Sequence, residues 1–166
     1  MSQIFTIEVK RKGPFWGTRK RQAVLEKELE SAINEAVLRL RREIVLRTPS
    51  SKGGGILKKS IIDDVKGRGL KLVGEVGTPM QYAQPVEHGR RPNAPFPNRD
   101  NLELWVKRQF GVAGVMLKRL TFLIGQKIAN RGIKAVEMFE KGARASDKFI
   151  MKRFDHYGFQ VVRKLS

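Results

Sequence analysis

The chain contains no cysteine. That absence removes disulfides, zinc–thiolate sites, iron–sulfur clusters and cysteine nucleophiles together, while leaving the compartment open. Acidic residues are scarce: 16 Asp and Glu face 34 Lys and Arg, a formal charge of +18. Histidine is rarer still. Its two copies, His88 and His156, stand outside any metal-binding spacing such as H-E-x-x-H. Long apolar runs are also missing. No stretch approaches the roughly 18 apolar residues of a membrane-spanning helix. Residues 1–12 lack the apolar core of a secretory signal. The expectation is a soluble chain made in the cytoplasm, with no membrane partner.

What is present is enough for a core. The chain has 166 residues, 40% of them apolar. A domain near that size buries roughly 70% of its unfolded surface. The predicted organisation is an N-terminal strand and basic arm over 1–17, then a single α+β domain over 18–166 with a flexible glycine loop at 50–55.

Hydrophobic periodicity supplies the elements. Gln3–Lys10 alternates as a strand, with Phe5, Ile7 and Val9 on one side. Gly13-Pro14 breaks it. From about Thr18, a candidate cap, to Arg47, Leu25, Leu29, Ala32, Ile33, Ala36, Val37, Leu40 and Ile44 recur at helical spacing. Acids come early in this helix and arginines late, an order that complements the helix dipole. Thr48-Pro49 ends it. Residues 56–60 allow one helical turn. Strands are predicted over 61–66 and 71–77, with Gly67-Arg68-Gly69 as the hairpin turn. Further helices are predicted over 82–88, 101–110, 117–130 and from 134 onward. The C-terminal segment fits both helical and strand spacing, and helix is the reading adopted. The fold class that results is α+β: a small antiparallel sheet packed against a long N-terminal helix and C-terminal helices.

No catalytic constellation emerges, and no cofactor is implied. Asp63-Asp64 on a strand point to opposite faces. Glu87-His88 and Asp155-His156 are neighbours, and neighbours on a helix face apart. Gly53-Gly54-Gly55 lacks the G-K-[ST] of a nucleotide loop. A metal-dependent nuclease would have to draw on Asp63, Asp64, Glu87 and His88.

The basic residues invite a polyanion. Lys10, Arg11, Lys12, Arg19, Lys20 and Arg21 form a basic stretch without an acid and enclose Phe15 and Trp16. Lys58, Lys59, Arg90 and Arg91 add two basic pairs. These are the candidate contacts to DNA or to an acidic partner. Phosphate neutralisation by such residues is salt-sensitive and blind to sequence. No zinc finger, basic zipper or RNA-recognition signature is present. A free, sequence-nonspecific nucleic-acid-binding protein is therefore one reading.

A second reading comes from three ordered segments. The first is Thr48-Pro49, then Gly55-Ile56-Leu57-Lys58-Lys59-Ser60-Ile61. The second is Val76-Gly77-Thr78, Tyr82-Ala83, Val86-Glu87-His88-Gly89 and Pro95-Phe96-Pro97. The third is Trp105-Val106-Lys107 with Gly111, then Ile128-Ala129, Arg131-Gly132-Ile133 and Phe139. Over about residues 20 to 140 this pattern resembles the neck, or tail-completion, proteins of tailed bacteriophages, a head-to-tail joining family of the minor tail protein Z type. The resemblance implies a structural, non-enzymatic virion protein. It implies a homo-oligomeric ring, hexameric if six copies close it, around double-stranded DNA in the channel. Its neighbours would be a connector or head-completion protein on one side and tail-terminator or tail-tube proteins on the other. It also makes Thr48, Pro49, Leu57, Ser60, Gly77, Tyr82, Glu87, Gly89 and Trp105 structural or interface positions.

Overall fold

The computed structural model describes residues 2–8, 19–50 and 55–165. Nine elements follow in order: β1 Ser2–Glu8, α1 Arg19–Arg47, α2 Ile56–Lys59, β2 Ile62–Arg68, β3 Lys71–Gly77, α3 Ala83–His88, α4 Arg99–Phe110, α5 Gly114–Arg131 and α6 Met138–Leu165. They sort into two compact units, each built from separate stretches of chain. A sheet unit takes Ser2–Leu46, Ile61–Gly77 and Phe139–Ser166; a helical unit takes Arg47–Ser60 and Thr78–Met138.

In the sheet unit, β3 lies between β1 and β2, and both pairings are antiparallel. β3 alternates strictly: Leu72, Gly74 and Val76 are buried, while Lys71, Val73 and Glu75 face outward. The α1 stripe read from the sequence is the core. Leu29, Ala32, Ile33, Ala36, Val37, Leu40 and Ile44 are all buried. Each of its large side chains is worth roughly 1.5–3 kcal/mol of apolar burial. Leu29 and Ile33 cluster with Leu70 and Leu72, and Leu25, Val65 and Phe154 pack around them. Gly74 leaves room for α1. A Cβ there would stand 2.4 Å from Val37 Cγ1.

α6 runs antiparallel to α1, as the order of contacts requires. Gly142 meets Ile44, Arg39 and Arg153 each stand 5.2 Å from the Phe149 ring centroid, Tyr157 donates to Glu35, and Lys164 pairs with Glu28. Arg41 ties α1 to the strand side, donating to the Ile61 carbonyl at 3.0 Å and pairing with Asp63 at 2.9 Å.

The α+β class is as expected, and the C-terminal segment is helical. Two local readings need correction. The hairpin loop is Gly69-Leu70, because Arg68 still pairs with Lys71. Gly69 sits at φ 62 as the first loop residue, and Leu70 turns inward to the core. The dipole reading of α1 holds only at its C-terminal end, where Arg47 stands in the last turn, since its first turn holds no acid. Glu26, Glu28 and Glu30 lie beyond the reach of that effect, and Glu28 serves α6 instead.

Two glycines of α6 make the packing testable. A Cβ on Gly142 would lie 2.6 Å from Ile44 Cγ1 and 3.1 Å from the Ile44 backbone, whereas a Cβ on Gly158 meets nothing within 4 Å. Gly142→Ala should destabilise the fold by about 1–3 kcal/mol through overpacking. Gly158→Ala should stabilise it by up to about 1 kcal/mol through helix propensity. Urea denaturation of the two variants should move the midpoint in opposite directions.

Candidate functional site: an apolar groove in the helical unit

The helical unit is built on an α4–α5 pair. Leu102, Val106 and Leu117 form its core, with Trp105, Val112, Leu120, Ile124 and Ile128 packed against them. Asn98 caps α4, its side chain accepting from the Asn101 amide at 3.0 Å. Gly111, at φ 64, ends that helix and releases the chain toward α5.

Two backbone segments far apart in sequence are laced together beside this pair. The Arg90 amide donates to the Ile133 carbonyl at 2.8 Å, and the Ile133 amide donates back to Arg90 at 2.9 Å. The Val136 and Glu137 amides donate to the carbonyls of Val86 and Glu87. The approach is too close for side chains. A Cβ on Gly89 would sit 2.7 Å from the Ile133 carbonyl oxygen, and one on Gly132 would sit 2.2 Å from that of Arg90. Both glycines also hold positive φ, at 73 and 72.

A second tie fixes α2. Ser60 Oγ donates to the Leu57 carbonyl at 2.9 Å and lies 2.7 Å from Thr78 Oγ1. Each hydroxyl has one proton, so Thr78 is the donor between them. Thr78 Oγ1 in turn accepts from the Met80 amide at 3.2 Å.

These ties frame a groove of about 680 Å³. Pro49, Leu57, Tyr82, Val86, Leu102, Trp105, Ile128 and Ile133 give it an apolar wall. Gln81, Asn98, Asn101 and Gln109 supply amides, and Asn101 Nδ2 donates to Gln81 Oε1 at 2.9 Å. Among the described residues Arg90 is the one charged lining residue, and its guanidinium donates to the Pro95 carbonyl. A smaller depression of about 360 Å³ shares Arg90 and Ile133 and adds His88, Gly89, Arg91 and Ala135. Among the described residues no carboxylate lines either space.

Of the resemblance positions, the structure brings Pro49, Leu57, Tyr82 and Trp105 to one groove. Ser60 and Gly89 shape it from behind. Thr48 and Glu87 are buried, and Glu87 contributes its backbone carbonyl to the lacing. Gly77 lies elsewhere, closing β3 opposite Ser2 and Ile62. The amide rim of Gln81, Asn98 and Asn101 escaped the sequence reading. The Asn98–Asn101 spacing ahead of an apolar helix was the signal that would have found it.

The basic candidates are distributed. Lys10, Arg11 and Lys12 lie outside the described residues, as do Phe15, Trp16, Thr18 and most of the glycine loop. Arg19, Lys20 and Arg21 open α1 in the sheet unit. Lys58 and Lys59 end α2, and Arg90 and Arg91 follow α3, all in the helical unit. By sequence the helical unit carries 14 basic and 4 acidic residues, a charge of +10, against 20 and 12 in the sheet unit, +8.

Asp63 and Asp64 do point apart: Asp63 pairs with Arg41, and Asp64 lies 3.5 Å from Lys66. Among the described residues, no three of His, Asp and Glu gather as a metal site, and no helix is long and apolar enough to cross a membrane.

Residues 18–89 match the family model HK97-gp10-like, described as "Bacteriophage HK97-gp10, putative tail-component". The matched stretch runs from the start of α1 through Gly89, and so takes in Pro49, Leu57, Tyr82 and Val86 of the groove. It supports a phage tail or neck family. No curated protein and no solved structure matches the chain.

The two tyrosines report on the two units. Burial beside the groove pushes the Tyr82 phenol above its ordinary value of 10.0. Tyr157 rises as well, first because its hydroxyl donates to Glu35 at 2.7 Å. A raised folded pKa favours the neutral form, so this stability is present below pH 10 and is lost as pH rises through the folded values. Phenolate absorbance should show both groups titrating above 10.0 in the folded protein and near it in urea; an unshifted folded titration would contradict the assigned contacts.

Proposed function

We propose that this chain is a structural protein of a tailed-phage neck, a tail-completion protein that joins head to tail. The observation that carries the reading is the match of residues 18–89 to a phage tail-component family. The order of motifs continuing past it, through Trp105 to Phe139, supports the finer assignment to the Z-type joining proteins.

Two physical features fit that role. The charge of +18 per chain suits a ring through which double-stranded DNA passes, with a hexamer as the proposed closure. Exposed apolar side chains also need a cover in the particle. Val115, Met116, Phe122 and Leu123 on α5 are each more than half exposed, as are Met151, Phe159 and Val162 on α6. Such faces mark contact surfaces when they are contiguous. The proposed cover is the next subunit, a connector or head-completion protein, and tail-terminator or tail-tube proteins. The protein acts without catalysis and without a cofactor, and its place is the virion.

Removal of the gene from the phage that carries it should leave DNA-filled heads and finished tails unjoined in the lysate, with joining restored on adding the protein. Normal joined particles from the deletion would refute the assignment. Tight DNA binding by the isolated chain at physiological salt, with a steep salt slope, would instead favour a free nucleic-acid-binding protein.

A further inference from the structure

The groove of the helical unit has chemistry that a ring of DNA-facing cations does not explain. Its volume, about 680 Å³, lies in the range of about 300–1,000 Å³ typical of ligand clefts. Its wall is aliphatic and aromatic, its rim carries amides, and among the described residues its single charge is Arg90. We propose that the groove is a docking site for an extended acidic peptide of a partner protein, seating one apolar side chain against Trp105 and Leu57 and the adjoining carboxylate on Arg90. The proposal stands on the groove alone and does not require the neck assignment.

Charge complementarity selects this occupant. Among the described residues the lining holds no carboxylate, and the neighbouring depression adds Arg91 beside Arg90. The whole unit carries +10. A guanidinium forms forked, charge-assisted bonds with a carboxylate, and an apolar wall strengthens them. Arg90 is already held in place by its bond to the Pro95 carbonyl, so little freedom is lost on binding. The amides suit a peptide backbone. Gln81 accepts from Asn101 and retains its own N–H groups, while Asn101 retains its carbonyl.

Single-stranded nucleic acid is the weaker fit. Bases need a flat aromatic platform and a track of cations for the backbone. Here Trp105 packs edge-on against Phe110 at 6.0 Å and 83°, and among the described residues one arginine stands in a mostly aliphatic wall.

The test uses the full chain with Trp16→Phe, which leaves Trp105 as the only tryptophan. The probes are an acetylated, amidated Glu-Leu-Phe-Asp peptide, its neutral Gln-Leu-Phe-Asn counterpart and a short oligo-dT. The acidic peptide should shift Trp105 emission saturably. The neutral peptide, which lacks both carboxylates, should bind at least about tenfold more weakly, since the charge-assisted contact to Arg90 alone is worth about that factor. Arg90→Gln should weaken the acidic peptide by a similar factor, and Arg91→Gln, an exposed side chain, should weaken it less while leaving the fold intact. Should Arg90→Gln unfold, the two peptides and Arg91→Gln decide the matter. Equal binding of both peptides, no shift of Trp105, or displacement of the peptide by oligo-dT would overturn the proposal.

Discussion

A shortage of acid governs this structure. Sixteen carboxylates cannot neutralise 34 cations, so where the acids go decides which surfaces stay basic. The fold places 12 of them in the sheet unit. Several line the seam between the two long helices: Glu28 holds Lys164, Glu35 holds Arg153 and Tyr157, and Glu43 holds Arg39. There the side chains are partly shielded from water, and ion pairs are screened less than on an open surface. The helical unit keeps only four acids, and none of them lines the groove. Self-repulsion of such a surface opposes the compact state and favours any anionic partner.

The groove depends on a second constraint, the close approach of two backbones. Lacing Arg90 to Ile133 brings the end of α3 against the exit of α5, and only glycine at 89 and 132 permits it. The hydroxyl pair Ser60–Thr78 does the same for α2 across the β2–β3 hairpin in sequence. Motif residues that look like scaffold one at a time thus build one concave surface. The matched family region supplies much of its wall, and the α4 and α5 residues beyond it complete the rest.

Much of this was legible in the sequence, for physical reasons. The α1 stripe repeats over seven buried positions, and a signal that long fixes helix and face together. β3 alternates because one of its faces packs on α1. The hairpin differs from the sequence reading because Gly67 and Arg68 look like turn residues, yet they pair with Leu72 and Lys71, and the loop residue Leu70 dips into the core. The acids of α1 do not serve the helix dipole because charge order along a helix says nothing about tertiary partners, and Glu28 pairs with Lys164. The groove itself was invisible: Tyr82, Trp105 and Ile133 meet only through the lacing, which involves hydrogen bonds across more than forty residues and has no local signature.

The central claim is a position in a particle: a basic, non-enzymatic chain at the head-to-tail junction. Cryo-electron microscopy of the intact virion tests it most directly. The account predicts density for α1 and α6, the two longest helices, in a closed ring at the neck, with DNA along the ring axis. A complete neck map without this chain, or with it elsewhere in the virion, would contradict the account.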